Sequence, residues 1–383
     1  MQHSDITTLA KAIQSREISV VEVTTQTFDD LDALSGLSPI AWREDELVLR
    51  CATDADSALA DGEVIGPLHG IPITVKDWID VRGFPCMGED RADAKRRPAA
   101  DATAVARLRA AGAIVVAKSN PNSLHGTVRN VIDRSRTAGY SSSGGAVAVA
   151  AGAVPLSIGS DSGGSLRFPA HCTGIATIKP TYGLVRATGH YPLIDRFTDG
   201  RTVIGPLARS ISDLRVVLPI IAGADQIDPD SPPVVLERSA LDVPLRIVVH
   251  RDVGVAPTPE ITAMMNRVAA SLSDAGHRLS ESDALQPSRA LNITQRYWDR
   301  PLPTGKETET FLTDWRDFRG DGMNVMRMAD VIISPAAPHP APKIGDATDL
   351  DWAYTLAPSL WGFPAAVVPV DTRHADSPSA FRS

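Results

Sequence analysis

Between Gly139 and Ala170 the chain reads GYSSSGGAVAVAAGAVPLSIGSDSGGSLRFPA, two serine and glycine clusters joined by a run of small apolar residues. Serine- and glycine-rich text usually makes a flexible linker. This stretch lies mid-chain and is laced with Ala, Val, Leu and Ile, so a packed segment is expected instead. Paired glycines let the main chain turn freely and let a ligand come close to it. Successive N–H groups can then face one concavity and hold an anion. GSDSGGS, residues 159–165, is therefore open to two readings beside a linker, an anion nest or a nucleophile site. A phosphate loop of the Walker type ends in Gly-Lys-Ser/Thr, and a dinucleotide turn reads G-x-G-x-x-G; neither is present, which demotes the phosphate reading.

Acyl transfer needs a nucleophile, a base and donors for the oxyanion. Ser165, just after Gly163 and Gly164, can be the nucleophile, with the preceding amides as donors. The nearest histidines, His125 and His171, do not sit in a G-x-S-x-G elbow or a similar setting. Serine–lysine versions of the triad exist, and a lysine acts as base only when neutral, a state that burial favours. GIPITVKD places Lys76 at the end of an apolar strand. The alternative for Lys76 is a surface lysine paired with Asp77. For Asp161 and Arg167 it is a structural ion pair that braces the loop.

The rest of the chain is ordinary globular text. Of 383 residues 43% are hydrophobic, and 38 Lys and Arg against 46 Asp and Glu give a net charge of −8. An acidic chain without a basic run is a poor partner for nucleic acid or an anionic membrane. Three scattered cysteines, Cys51, Cys86 and Cys172, with no C-x-x-C pair, argue against a disulfide framework or a thiolate metal site. The start has no apolar secretory region, and the apolar runs are broken by Gly and Pro, so a soluble cytoplasmic protein is expected.

Periodicity predicts helix over 5–34, 101–111 (with Asp101 as N-cap and Gly112 past its end) and 258–276. It predicts strands at 71–76, 113–119, 245–249, 330–334 and 365–370. Residues 225–234 and 284–322 read as loops, and the polar end from Val370 as frayed. Alternating helices and apolar strands predict α/β layering.

Several spaced motifs now carry a resemblance. GYSSSGG…GSDSGGSLRFPA, followed by GIATIKPTYGLV (174–185) and VIGPLARSISDL (203–214), is similar to the signature region of the amidase signature family of serine hydrolases. PLHGIPITVKDWIDVRG (67–83) is similar to that family's lysine motif, and DVIISPAAPHPAP and LWGFPAAVVPV to its later strands. The resemblance covers roughly residues 5–370 and implies an α/β fold, three-layer α/β/α with a large mixed central β-sheet surrounded by helices. It implies one domain over 1–383, with a signature core at about 64–225 and a C-terminal part at about 226–370, shortened at its end.

The implied triad is Ser165 as acylated nucleophile, Lys76 as ultimate base and Ser141 as the bridging serine, flanked in the family by an unusual cis peptide bond. Counts from Arg136 forward and from Ser165 back both land on Ser141, with Ser142 as the fallback. The amides of Ser162, Gly163, Gly164 and Ser165 would hold the oxyanion, with Ser142 beside them at the substrate. The resemblance implies hydrolysis of a carboxamide without cofactor or metal. Its close rival is a glutaminase resembling the ammonia-releasing subunit of the amidotransferase that acts on glutamyl-tRNA. A catalytically impaired, non-enzymatic member is the third reading. The partner implied is a small-molecule amide, and a homodimer is the commonest assembly of such proteins. Three departures stand out: Tyr140, Ser143 and Gly145 replace Gly, Gly and Ser; the span from Lys76 to Ser141 is short; and the family's Gly-x-Gln strand and final helix are not found. By position alone, Tyr140, Phe168, Cys172, Tyr191 and 284–322 are candidates for lining the pocket.

Overall fold

The structure, a computed structural model, describes residues 5–88, 90–194, 199–228, 236, 243–251, 254–299 and 305–370. Ten strands are formed among these: β1 Ile40–Trp42, β2 Pro72–Lys76, β3 Ile114–Ser119, β4 Leu156–Asp161, β5 Ala176–Lys179, β6 Val203–Ala208, β7 Arg246–His250, β8 Arg278–Ser282, β9 Val331–Ile333 and β10 Ala365–Val367. The eleven α-helices among the described residues are α1 Ile6–Gln14, α2 Val20–Ala33, α3 Asp45–Ala60, α4 Thr103–Ala110, α5 Ser143–Ala150, α6 Arg167–Thr173, α7 Ile211–Ile221, α8 Pro259–Asp274, α9 Pro287–Trp298, α10 Lys306–Met328 and α11 Ala353–Trp361.

Seven strands make one mixed sheet in the order β1-β3-β2-β4-β6-β5-β10. β2 runs parallel to β3 and β4, and the outer pairings are antiparallel. β2, β3 and β4 are buried along their whole length, as strands covered on both faces must be, which explains their unbroken apolar text. Helices cover both faces, giving the three-layer α/β/α arrangement. A smaller parallel sheet, β8-β7-β9, is formed by the later part of the chain.

α5 is the Ala- and Gly-rich run of the opening tract, and all eight of its residues are buried. Small side chains permit this. A Cβ on Gly145 would stand 2.2 Å from Ser157 Oγ on β4, so the glycine lets helix and sheet approach closely. The tract is a central packing element and not a linker.

Four sequence expectations are corrected. Residues 5–34 form two helices rather than one, because Ser19 opens α2 with a capping box to Glu22. Asp101 does not cap α4; its carboxylate instead accepts from Arg82 N at 2.7 Å and pairs with Arg109 at 2.9 Å. The stretch 284–322 is no loop, since α9 and most of α10 lie in it. Ala290, Ile293, Thr294 and Tyr297 bury one stripe of α9, and Phe311, Phe318 and Gly322 a sparse one of α10. The remaining positions are charged and solvated, which hid the period. Finally, the bonds around Ser141 are trans, since the only cis bond among the described residues is Tyr191–Pro192. Ser141 reaches Lys76 from an ordinary trans backbone. Residues 229–234 of the first expected loop and 371–383 of the expected frayed end lie outside the described residues.

Candidate active site

The site gathers at the carboxyl ends of the parallel strands, where open α/β sheets place their ligands. Lys76 is the last residue of β2, and its side chain shares a face with Thr74, which donates to Ser157 Oγ at 2.9 Å on the side covered by α5. Lys76 is 1% exposed. Its Nζ lies 2.7 Å from Ser141 Oγ, just ahead of α5, and 2.9 Å from Ser160 Oγ on β4. The face of Trp78 lies 3.9 Å from the same nitrogen, a contact that holds an ammonium and also accepts an N–H of a neutral amine.

β4 ends at Asp161, and the loop 162–166 wraps its carboxylate. Gly164 N donates to Oδ1 at 2.7 Å and Leu166 N to Oδ2 at 3.1 Å. Arg167 donates from Nη2 at 2.8 Å and Nε at 3.0 Å. Burial by itself would raise the Asp161 carboxyl, but the Arg167 guanidinium and its hydrogen bonds outweigh it and hold the group below the usual carboxylate range. Arg167 also donates to Thr355 O at 2.5 Å and Ser359 Oγ at 2.7 Å, and Thr355 Oγ1 donates to Gly163 O at 2.5 Å. The loop is thereby clamped between β4 and α11.

Two expected site residues take other positions. The Gly164 N–H donates to Asp161 Oδ1 rather than facing the loop's open side unpaired. Gly164 serves the turn, with φ at +140° and a virtual Cβ only 2.3 Å from Thr355 Oγ1. Ser142 is buried, and its hydroxyl bonds the backbone of Ser160, to O at 3.2 Å and from N at 3.4 Å. It anchors the start of α5 to β4. Ser165 is half-buried at the end of the loop. Among the described residues its hydroxyl bonds neither Ser141 nor Lys76, and the amides of Ser162, Gly163 and Ser165 make no hydrogen bond.

Of the expected lining residues, Phe168 and Cys172 are packed with Ala337 and Ala341, and Tyr140 leans on them. The Tyr140 ring lies 4.4 Å from Trp352 and 5.0 Å from Phe168. Tyr191 is held elsewhere, under Arg96 and donating to Asp93 at 2.5 Å. Trp298, from α9, continues the aromatic wall 5.2 Å from Trp352, is 46% exposed and borders Gly163.

Sequence reasoning missed Ser160, Trp78 and His190. Ser160 stood inside the quoted tract, and its adjacency to Lys76 follows once β2 and β4 are known to be neighbours. His190 carries no local signal. It is buried with Nε2 at 3.0 Å from Ser160 Oγ and Nδ1 at 2.8 Å from Pro192 O. Burial, opposed only in part by the hydrogen bond to Pro192 O, pushes its imidazole from 6.5 down to about 4. A base whose folded value is depressed stays neutral when the unfolded chain already binds a proton. Stability is therefore present above the ordinary value and drains away as pH falls from 6.5 towards 4, amounting to about 3 kcal/mol from this group. Urea denaturation across this range is expected to show that slope in the natural protein and to lose it in His190→Leu.

The comparisons with known proteins agree with this architecture. The family model described as Amidase matches residues 44–300. Indoleacetamide hydrolase of Bradyrhizobium diazoefficiens is 35% identical over 291 residues, covering 71% of this chain and 55% of that protein. A glutamyl-tRNA(Gln) amidotransferase subunit of Burkholderia pseudomallei is 38% identical over 252 residues, covering 63% of this chain and 49% of that protein. The chain thus spans about half the length of the curated relatives it matches. Among solved structures, one reported with a vestigial complex bearing on the origins of an s-triazine catabolic enzyme superposes with a TM-score of 0.83 at 27% identity, over 95% of this chain and 90% of that one. A crystal structure of an amidase gives 0.81 at 25% identity, over 96% of this chain and 92% of that one. With the lysine strand, the wrapped glycine loop and the mixed sheet in place, these matches show that the chain belongs to the amidase signature family.

Proposed function

We propose that the protein hydrolyses a carboxamide through an acyl-enzyme on Ser165. The observation that carries this reading is the buried amine of Lys76 lying 2.7 Å from the Ser141 hydroxyl, beside a loop whose free amides end at Ser165. Neutral Lys76 takes the Ser141 proton as Ser141 takes that of Ser165, and Ser165 Oγ bonds the amide carbon. The amides of Ser162, Gly163 and Ser165 meet the oxyanion, each donor contributing on the order of 3 kcal/mol to the barrier. The ammonium of Lys76 returns the proton through Ser141 to the leaving nitrogen, and the C–N bond breaks. Water then attacks the ester, its proton following the same relay, and Ser165 leaves as a hydroxyl. The Ser165–Ser141 contact is the one this scheme requires to close, as catalytic hydrogen bonds commonly do when substrate binds.

The exposed indole of Trp298, tilted against Trp352, on which Tyr140 stacks, supports an aryl or other planar acyl group as the substrate's apolar part. The indoleacetamide hydrolase relative is in keeping with this. The amidotransferase relatives support a second reading, a glutaminase that supplies ammonia to partner subunits. A fluorophosphonate probe tests the enzyme reading: labelling of Ser165, absent in Ser165→Ala, is the expected result. A folded protein that never labels would instead favour a non-enzymatic member. Ammonia release from aryl, aliphatic and glutamine amides then separates the two enzyme readings, with aryl amides expected to give the highest kcat/KM.

A further inference from the structure

We propose that His190 is a positioning residue that aims the lone pair of Lys76 at Ser141. The inference rests on the base reading of Lys76 above, and on a run of four short contacts. Pro192 O is 2.8 Å from His190 Nδ1 and can only accept, so Nδ1 carries the ring proton. Nε2 is then the acceptor, and Ser160, 3.0 Å away, donates its hydroxyl proton to it. With its proton so directed, Ser160 Oγ can only accept from Lys76 at 2.9 Å. A neutral Lys76 thus turns one N–H to Ser160 and has the Trp78 face for another. Its lone pair is left for Ser141 at 2.7 Å.

The ring is held firmly enough to impose this direction. Asp80 N donates to Gly189 O at 2.8 Å and Tyr191 N to Trp78 O at 2.7 Å, which lays residues 189–191 against 78–80. The indole of Trp78 meets the imidazole edge-on at 6.3 Å. The charged groups that face His190 are Lys76 from β2, Asp80 just beyond it and Asp199 from the segment before β6. His190 touches none of the reacting atoms and acts through Ser160.

Without an acceptor at position 190 the Ser160 hydroxyl is free to donate to the amine and occupy the lone pair. That favours neutral Lys76 yet withholds it from Ser141. In His190→Leu the plateau of kcat/KM for the best amide is expected to fall about 10–100-fold, as when the partner orienting a metal-bound histidine is removed. KM should stay within about twofold, and the acid limb of the pH profile should move to lower pH. A purely structural role would let water in, restore an ordinary ammonium and move that limb up. An upward shift, or an unchanged plateau, overturns the proposal. A polar pair guards against misfolding of the leucine variant. His190→Gln keeps an acceptor near the Nε2 place and should recover most of the plateau, whereas His190→Asn, too short to reach Ser160, should not. Equal plateaus for Gln and Asn overturn the proposal too. A natural protein that neither labels at Ser165 nor releases ammonia overturns both this inference and the function it rests on. An active one with indifferent His190 variants overturns this inference alone.

Discussion

Lys76→Met is expected to remove on the order of 10⁴-fold or more of kcat while leaving the protein folded. The size follows from what the amine does. Triad members act as a unit, so removal of the base costs nearly as much as removal of the nucleophile. Methionine suits the slot, since it is unbranched and apolar and fills irregular gaps. The position is 1% exposed, so the exchange also lifts the cost of keeping an amine there. Ser160 loses the Lys76 amine but keeps His190 as a partner at 3.0 Å. Stability equal to or above that of the natural protein is therefore expected by thermal melting, together with a flattened acid limb and loss of fluorophosphonate labelling. Activity within tenfold of the natural protein would rule out Lys76 as the base.

Arg167→Met should produce the largest loss of stability, about 3–5 kcal/mol, out of the 5–15 kcal/mol that a domain typically has. The Asp161–Arg167 pair is buried, with the side chains 0% and 3% exposed. Removing the cation strands a carboxylate that still accepts from Gly164 and Leu166. It also cuts the two bonds from Arg167 to Thr355 and Ser359 that tie the loop to α11. The pH dependence gives a sharper check. With Arg167 present the Asp161 value is depressed, so its contribution holds at all pH above the ordinary carboxylate range and is lost only as pH falls through the lowered value. Without Arg167 its lowering charge and hydrogen bonds are gone while the burial remains, so the Asp161 value rises and the variant should be less stable at pH well above the ordinary carboxylate range than at pH near it. Denaturation at both pH values measures this, and Asp161→Asn in the Arg167→Met background should restore part of the loss. A pH-independent deficit would mean that packing, and not charge, is what Arg167 supplies.

Much of the frame was legible in the chain. IPITVK, AIVVAKS and LRIVV are short, apolar and β-branched, and each is a strand of the observed sheets. Gly112 and Gly276 adopt positive φ past the ends of α4 and α8, as their places in the text imply. α9 and α10 were not legible. They cover the second core with a few aromatic and aliphatic residues each and present charge elsewhere, so the buried stripe is too sparse to stand out over a single helix.

Within the site, the division runs along the distance between partners. The glycine pair is a local signal, a turn that needs a missing Cβ, whereas Lys76 and Ser165 were singled out by the family resemblance, since a strand-end lysine beside Asp77 reads by itself as a surface pair. The sequence by itself determined, through its spaced motifs, that the strand-end lysine and the glycine-cornered serine belong to one signature; that the lysine is buried came from the structure. The motif spacing names Ser141 for the lysine, but their 2.7 Å contact, which amides remain free and what stands behind Ser160 were decided by the tertiary structure. Ser141 lies 65 residues from Lys76, and His190 lies 30 from Ser160. A hydrogen bond depends on position to a few tenths of an ångström and on which proton is already committed. Strand order and loop wrapping set those conditions, and local propensity carries no trace of them.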